Sequence, residues 1–152
     1  KIITKIENAE SLIKTLNLKK VNKEKYYEKS FTLGIPQINL AKLKEKIFGI
    51  ENNLDELNGI DFKKGCYVGQ ENTARIKLKD KQSKKLFPIK VLEGEIKIND
   101  EIKQNNKIFG KVLIDRVYPF GLIKFKDSDI KIREDFICGS AKIKLLKPNW
   151  FE

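Results

Sequence analysis

The sequence predicts an α+β protein in which a helix-rich front of about 80 residues precedes a small antiparallel β-barrel. Three observations lead to this prediction. Residues 1–80 carry apolar side chains at helical spacing. Residues 81–152 carry short runs in which apolar and polar residues alternate, and Gly, Pro and Asn interrupt those runs at close intervals. We therefore divide the chain into two regions, 1–80 and 81–152.

The front region is predicted to contain a short strand, three helices, a polar connector and a fourth helix. Asn8, Asn22 and Asn39 each lie where a side-chain cap would start one of the first three helices. Gly34 ends the second helix, and Pro36 prevents it from continuing. In chain order, the predicted elements cover residues 1–6, 9–18, 23–33, 40–48, 52–59 and 70–78.

The predicted strands of the barrel lie in residues 86–91, 96–101, 107–117, 122–125 and 141–146, and the second of these segments is predicted to be a strand that ends in a turn. In the last strand, Ile143 and Leu145 are expected to share one face. In the third strand, alternation is expected to point four residues inward, namely Ile108, Gly110, Val112 and Ile114. Trp150 and Phe151 follow the last strand, and we expect them to dock against the barrel.

The remaining core and surface candidates are aromatic, sulfur and acidic side chains. Tyr26, Tyr27 and Phe31 fit one face of the second helix and are expected in the core. Cys138 is flanked by apolar residues, and without further cysteines nearby it is interpreted as a core residue rather than a cluster ligand. No metal site is predicted. The acidic residues interpreted as solvated rather than metal-binding are Asp127, Asp129 and Asp135.

The composition limits the classes of function. The formal charge of +11 is compatible with an anionic partner. However, only three of the 32 basic residues are arginines, the residue that nucleic-acid surfaces use for bidentate contacts, and the lysines are scattered. Direct nucleic-acid binding is therefore not favoured. The chain has no histidine, which excludes Ser-His-Asp and Cys-His catalysis and histidine-ligated metals.

The cysteine count and the apolar runs predict a cellular location. The two cysteines lie far apart and imply no disulfide framework, which fits a reducing, cytoplasmic compartment. No apolar run approaches the roughly 18 residues needed to span a bilayer, so no membrane partner is expected. Residues 1–5 lack the layout of a signal peptide. Because the chain starts with lysine and contains no methionine, we expect it to be a fragment of a longer protein.

The segment from Lys63 to Glu71 concentrates residues suited to ligand chemistry. Gly65 and Gly69 allow the backbone to approach a ligand closely, and Gly69 lies just before a predicted helix whose N–H groups can face an anion. Between the glycines is Cys66, and the preceding Lys64 favours its thiolate form.

Three further side chains extend this segment. The ring of Tyr67 can stack on a heterocycle, and Gln70 can fix a polar edge of that ring. Glu71 can do the same, and it can also pair with Arg75 one helical turn later. A structural interpretation stays open from these residues alone, since a tight turn before a helix also uses glycines and a buried cysteine.

The stretch Lys64–Glu71 resembles the motif K-G-C-(aromatic)-x-G-Q-E of the YgfZ family at every fixed position. Ala74, Arg75 and Lys77 resemble the A-R-x-K that commonly follows it. Upstream, the residues 34–36 resemble the family's G-I-P turn. The resemblance extends over the whole chain and is weaker in the tail.

The resemblance implies a fold shared with the T-protein, the aminomethyltransferase of glycine cleavage. Residues 1–80 would be the helix-rich C-terminal remnant of a T-protein-like folate-binding domain, with linking helices and the motif. It further implies a tetrahydrofolate-binding accessory protein that supports the assembly or repair of iron–sulfur enzymes, including tRNA-modifying ones. Folate and client iron–sulfur enzymes would be its partners, and Cys66 would be the key thiol, supported by Lys64. The expected cofactor-binding residues are Gly65, Tyr67, Gly69, Gln70, Glu71 and Arg75.

Two alternatives stay open. A tetrahydrofolate-dependent aminomethyltransferase is less favoured, because T-proteins carry R-x-E-x-G where this chain has Ser30, Thr32 and Gly34, and because T-proteins lack the motif cysteine. Apart from carboxylates and lysines the chain has no general base, so a binding or repair role is favoured over a turnover enzyme. The second alternative is a basic RNA-binding module.

Overall fold

The computed structural model describes residues 4–65, 68–78, 83–126 and 130–151, apart from the side chains of Gln70, Asn72 and Leu78. The three α-helices are α1 (Ala9–Thr15), α2 (Lys23–Thr32) and α3 (Gln70–Leu78), and short 3-10 helices cover Ile6–Asn8 and Leu40–Leu43. The six strands are β1 (Lys84–Glu93), β2 (Glu101–Gln104), β3 (Lys107–Ile114), β4 (Phe120–Lys124), β5 (Phe136–Cys138) and β6 (Ala141–Leu145).

Helix α2 follows its sequence signals. The side chain of Asn22 accepts a hydrogen bond from the backbone N–H of Lys25 at 3.2 Å, which satisfies one of the unpaired donors of the first turn. At the other end, Gly34 has φ +73°, the left-handed conformation that commonly follows a helix. The predicted cap, the predicted stop and the helix between them are confirmed.

The other front elements differ from their predictions. Helix α1 ends at Thr15 rather than residue 18, because Asn17 adopts φ +48° and breaks the helical bonding. The helix predicted over 40–48 is reduced to one 3-10 turn, since Asn39 is left-handed at φ +63° and Glu45 at φ +60°. Neither Asn8 nor Asn39 caps through its side chain. In the predicted strand 1–6, the described residues form no strand, and Ile6 starts a 3-10 turn.

The six strands close into a barrel with the order β1-β4-β3-β2-β5-β6, in which every neighbouring pair is antiparallel. This confirms the small barrel predicted for the tail. In the segment 96–101 the predicted turn is confirmed at Ile98 and Asn99, whereas the predicted strand is wrong, because β2 begins only at Glu101, after the turn. Strand β3 ends at Ile114 rather than residue 117, where Val117 has φ +59°. Strand β5 was not predicted because three residues carry too little alternation.

The predicted alternation of β3 is confirmed at Val112, which is buried in the barrel interior, and is wrong at Ile108 and Ile114, because the strand has irregularities on both sides of Val112. Ile102 pairs with Gly110 and Lys103 pairs with Ile108, so that β3 has one residue more than β2 at Phe109. Phe109 is therefore buried in the barrel, whereas Ile108, which was expected inside, is about half exposed. In β6 the expected pattern is confirmed, since Ile143 and Leu145 are both buried on its inward face.

The barrel wall has an apolar cluster on each side. The inner cluster fills the barrel and includes Phe87, Ile89, Phe136 and Ile143. The outer cluster joins the barrel to the front region through Leu43. Its buried barrel residues are Leu86, Leu113, Ile114, Phe120 and Leu122, and partly buried Phe31, Ile47 and Tyr118 pack against it.

The front region packs mainly through turns rather than helices. Helix α1 buries no residue. On α2, Phe31 reaches the outer cluster, but Tyr26 is exposed, so its expected place in the core is wrong. Turns cover residues 44–46 and 49–58, and the expected helix-rich remnant is not confirmed. Among the described residues, no helix combines the length and apolar character needed to cross a membrane.

Candidate functional site

The predicted motif loop lies on the surface between the 52–59 turns and helix α3. Its described residues, Lys63, Lys64, Gly65, Val68 and Gly69, are all exposed. The backbone N–H of Lys63 donates to the Asp61 carboxylate at 2.8 Å, which sets the turn into the loop. Cys66 and Tyr67 lie outside the described residues, so their predicted roles stay predictions.

Only one of the two glycines in the loop has a backbone conformation that favours glycine. Gly69 adopts φ +85°, and its carbonyl accepts from the backbone N–H of Thr73 at 3.2 Å and from its hydroxyl at 3.0 Å. It therefore starts α3 in a conformation that favours glycine. Gly65 has no such φ, and a Cβ built on it meets no atom within 4 Å. Neither φ nor packing against the described residues requires a glycine at position 65.

Helix α3 displays its charged pair towards solvent. The Glu71 carboxylate and the Arg75 guanidinium are 2.5 Å apart and both exposed, which confirms the predicted pairing at one helical turn. Gln70 begins the helix through its backbone. The predicted contacts of these three residues with a cofactor stay predictions.

Lys77 fixes α3 against the rest of the molecule. Its ammonium lies 2.9 Å from the Asp55 carboxylate and 4.0 Å from the centre of the Phe62 ring. These contacts attach the helix to the 52–59 turns on one side and to the entry of the loop on the other. The lysine that follows the motif thus has a structural role in positioning α3.

A cavity of about 300 Å³ lies beside the loop. Lys64 is the motif residue that lines it, opposite Thr73 of α3. The other lining residues are Gly49, Leu54, Gly59, Ile60 and Asp61. The predicted thiol-supporting lysine therefore lies at the rim of this open cavity, while Glu71 and Arg75 are not among its lining residues.

A second cavity, which sequence reasoning missed, lies at one end of the barrel. It measures about 460 Å³ and contains an ion pair between Lys85 and Glu56. The side chain of Lys85 is only 6% exposed, and burial lowers the pKa of its ammonium to about 8, with Lys126 adding to the effect and Asp55 opposing it. The sequence contained a signal for it, since Lys85 lies at alternating spacing with Phe87 and Ile89 and so shares their inward face.

Asn53 is a further buried polar residue that the sequence analysis missed. Its amide donates to the carbonyl of Leu86 at 2.7 Å and to that of Gly34 at 3.3 Å. Trp150 approaches the same turn, since its indole N–H donates to the Leu33 carbonyl at 2.8 Å. The residues that resemble the G-I-P turn are therefore held by the tail and by the 52–59 turns.

The aromatic tail docks as predicted. The ring centre of Phe151 lies 4.9 Å from that of Phe87 inside the barrel and 5.6 Å from that of Phe125. Trp150 stands beside it, with a centre-to-centre distance of 6.2 Å. Edge-to-face contacts of this kind favour a fixed arrangement.

Cys138 is a core residue, as predicted. It is fully buried in the inner cluster, and burial raises the pKa of its thiol to about 11, with Asp100 adding to the effect. An inert, protonated thiol follows. Asp135 pairs with Lys142 at 2.9 Å and with Lys144 at 3.6 Å, and the lysines lower the pKa of its carboxyl. Asp127 and Asp129 lie outside the described residues. In the part of the chain that the structure describes, no group of three or more acidic or cysteine side chains converges as a metal site.

Comparison with known proteins shows similarity to iron-sulfur cluster assembly factors named IBA57. The chain is 43% identical over 63 residues to the mitochondrial homolog of Neurospora crassa, which covers 41% of this chain and 14% of that protein. It is 39% identical over 71 residues to the Mus musculus protein, covering 47% of the chain and 20% of the relative. The Homo sapiens protein is 36% identical over 69 residues, which cover 45% of this chain and 19% of that protein. The matched parts thus span at most a fifth of these relatives. No protein-family model matches the chain.

The comparison overturns the expected location. All three relatives are named as mitochondrial proteins, so the expectation of a cytoplasmic protein is wrong. A reducing compartment, which the two separated cysteines indicate, does not distinguish the cytosol from other reducing compartments.

Proposed function

We propose that this chain is part of a YgfZ-family protein that supports iron–sulfur cluster assembly in mitochondria. The motif Lys64–Glu71 carries the proposal, because all of its fixed positions match the family motif and the similar proteins are named mitochondrial iron-sulfur cluster assembly factors. Client iron–sulfur enzymes, among them tRNA-modifying ones, are the proposed partners.

The proposed chemistry centres on the thiol of Cys66. Lys64 favours its thiolate, and the same lysine lines the cavity beside the loop. The space beside Gly65 supports the approach of a ligand or client at this point, since no atom of the described residues beyond its chain neighbours lies within 4 Å of the position of a Cβ there. A surface loop on a fixed helix suits a thiol that must meet another protein.

We further propose that the intact protein binds tetrahydrofolate. Gly65 and Gly69 would let the backbone approach it, Tyr67 would stack on its ring, and Gln70, Glu71 and Arg75 would fix polar groups or hold the loop. The start of α3 supports this assignment, because the first N–H groups of a helix favour an anionic group such as a carboxylate.

Loss of the intact protein from mitochondria tests the assembly role. We expect the activity of iron–sulfur enzymes to fall while that of a mitochondrial enzyme without a cluster stays constant, and the wild-type protein should restore it. Equal loss or no loss in both enzyme groups would contradict the proposal.

Calorimetric titration tests the cofactor separately. Tetrahydrofolate added to the intact protein is expected to bind, and replacement of Arg75 by Gln together with Glu71 by Gln should weaken binding, since both charges are removed. Absence of binding by the wild-type protein would remove folate from the proposal without touching the assembly role.

A further inference from the structure

The outer wall of the barrel carries an open groove that the proposed function does not use. It measures about 290 Å³, close to the lower limit for ligand pockets. Most of its lining consists of three lysines and three apolar residues, namely Lys84, Lys111, Lys124, Ile108, Gly110 and Leu122. An open groove of this size suits a short part of another chain better than an enclosed cofactor.

The three lysines of the groove come together because they lie on neighbouring strands. The barrel order places β4 between β1 and β3. Lys84 of β1 directly opposes Lys124 of β4. Lys111 of β3 opposes Leu122, so Lys124 lies at the diagonal position from Lys111. Directly opposed Cβ atoms are about 5 Å apart and diagonal neighbours about 7–8 Å, so the lysines, which are scattered in the sequence, form one continuous row.

The positive charge of this row is not balanced within the described part of the chain. None of the three lysines forms an ion pair with a described residue. Glu101 lines the groove, but its carboxylate lies 2.7 Å from the ammonium of Lys103. Like charges at directly opposed positions destabilise a sheet, and a row of them attracts anionic groups. The groove therefore has the charge of a surface that receives carboxylates or other anions.

The bulge of β3 at Phe109 adds an exposed apolar side chain to the groove. Because of the extra residue, Ile108 lies on the outer side of the wall, where it is 45% exposed. Gly110 beside it presents only backbone, so no side chain covers Ile108 from that position. An aliphatic side chain that enters the groove can therefore pack against Ile108 beside the lysine row.

We propose that this groove docks an acidic segment of a partner protein. Its carboxylates pair with the three groove lysines, and one aliphatic side chain packs against Ile108. The lining favours a protein segment over a nucleic acid, because it contains neither an aromatic ring on which a base could stack nor an arginine that could contact a base edge. It also favours a protein segment over a membrane, which is bound by projecting apolar side chains rather than by a groove. The assignment goes beyond the assembly role proposed above and does not depend on it.

Fluorescence anisotropy with the intact protein tests the docking site. The probe is a labelled synthetic peptide that carries Asp and Glu on both sides of one leucine, and we expect it to bind at low ionic strength. A peptide with Asn and Gln in place of the acids should bind about tenfold more weakly, because it forms no ion pairs. A peptide with serine in place of the leucine should bind about threefold more weakly, because it loses the apolar contact.

Two triple variants locate the binding on the protein. The groove variant is Lys84→Gln with Lys111→Gln and Lys124→Gln, and we expect it to bind the acidic peptide about tenfold more weakly than the wild type. It should keep the fold, because it removes like charges from opposed strand positions, and circular dichroism checks this. The matched control removes the same charge from exposed lysines of the front region and should bind as the wild type does. Its substitutions are Lys19→Gln, Lys20→Gln and Lys23→Gln.

Three results would overturn the assignment. The first is no binding of the acidic peptide at millimolar concentration. The second is equal loss of affinity in the groove variant and the control variant, which would make the net charge of the chain the cause. The third is a single-stranded RNA oligonucleotide or a phosphatidylserine vesicle that binds more tightly than the peptide and loses its affinity in the groove variant. That result would assign the lysine row to a nucleic acid or to a membrane surface instead.

Discussion

Single residues contribute most to the stability of this chain where a charge is buried or where the backbone has a positive φ. Lys85 is the clearest case. Its side chain is 6% exposed and that of its partner Glu56 is 23% exposed, so neither charge has full access to water. Ion pairs of this kind gain little net stability, but loss of one member leaves the other charge uncompensated.

We expect Lys85→Met to lower the free energy of unfolding by about 2–3 kcal/mol, towards the low end for a buried pair because Glu56 keeps some access to water. The double variant Lys85→Met with Glu56→Gln should recover most of this loss. Urea unfolding followed by circular dichroism measures both. If the double variant is as unstable as the single one, the cost does not come from an unpaired carboxylate.

The loop glycines provide a second test at the residue scale. Gly65→Ala should change the free energy of unfolding by less than about 0.5 kcal/mol, because the added Cβ meets open space. Gly69→Ala should cost about 1 kcal/mol, because alanine at φ +85° is strained. Thermal unfolding of the two variants side by side checks the order. A larger loss for Gly65→Ala would mean that the loop packs at that position.

Two buried groups are expected to make the free energy of unfolding depend on pH, and their pKa values are shifted in opposite directions. Lys85 has a pKa of about 8 in the folded state and 10.5 in the unfolded state, so the unfolded chain holds the extra proton and the free energy of unfolding rises with pH between these values. The Cys138 thiol has a pKa of about 11 when folded and 9.0 when unfolded, so its contribution is complete below pH 9 and is lost as the pH rises to 11.

We therefore expect the difference in stability between wild type and each variant to depend on pH in a predictable way. Relative to Lys85→Met, the wild type should gain stability from pH 8 to 10.5. Relative to Cys138→Ala, it should lose stability from pH 9 to 11. Urea midpoints at several pH values measure both differences, and differences independent of pH would contradict the assignment of these two groups.

At the scale of elements, the 52–59 turns connect the parts of the molecule. Within four residues, Asn53 binds the turn at Gly34, Asp55 binds α3 through Lys77, and Glu56 binds the barrel. A segment without regular structure therefore holds the motif helix in a fixed place. Its backbone conformation supports this role, since Asn53 and Asn58 both adopt positive φ and reverse the chain within six residues.

Asp55→Asn should loosen α3 without unfolding the barrel. We expect faster hydrogen exchange of the α3 amides and a stability loss of about 0.5–1 kcal/mol, since the Lys77 ammonium is half exposed and such pairs contribute little. Glu71→Gln is the matched control, because it removes an exposed pair within the same helix. Equal exchange in α3 of both variants would show that Asp55 does not hold the helix.

For the molecule as a whole, the sequence predicted the barrel better than the front region. In barrel strands such as β6, apolar and polar residues alternate clearly even over five residues. Helix α2 was predicted because Asn22 marks its start and Gly34 marks its end. The 40–48 segment failed because its apolar spacing is helical while Asn39 and Glu45 adopt left-handed conformations, which spacing alone does not reveal.

In the functional site, too, local features were predicted from the sequence and long-range features were not. The motif was found because its residues are contiguous, and the pair of Glu71 and Arg75 followed from helical spacing. The barrel-end cavity was missed because Glu56 and Lys85 are 29 positions apart and meet only in the folded chain. The inward lysine in β1 was the one local sign of it. The alternation of apolar and polar residues also does not predict a bulge such as the one at Phe109.

The central claim is that the thiol of Cys66 supports iron–sulfur enzymes, and its most direct test is the activity of those enzymes in mitochondria that contain the intact protein with Cys66→Ser. Val68→Ala is the matched control, because Val68 is the exposed, variable position of the same motif. We predict that Cys66→Ser lowers iron–sulfur enzyme activity to that of mitochondria without the protein, at equal protein abundance, while Val68→Ala retains it. Full activity with Cys66→Ser would contradict the account.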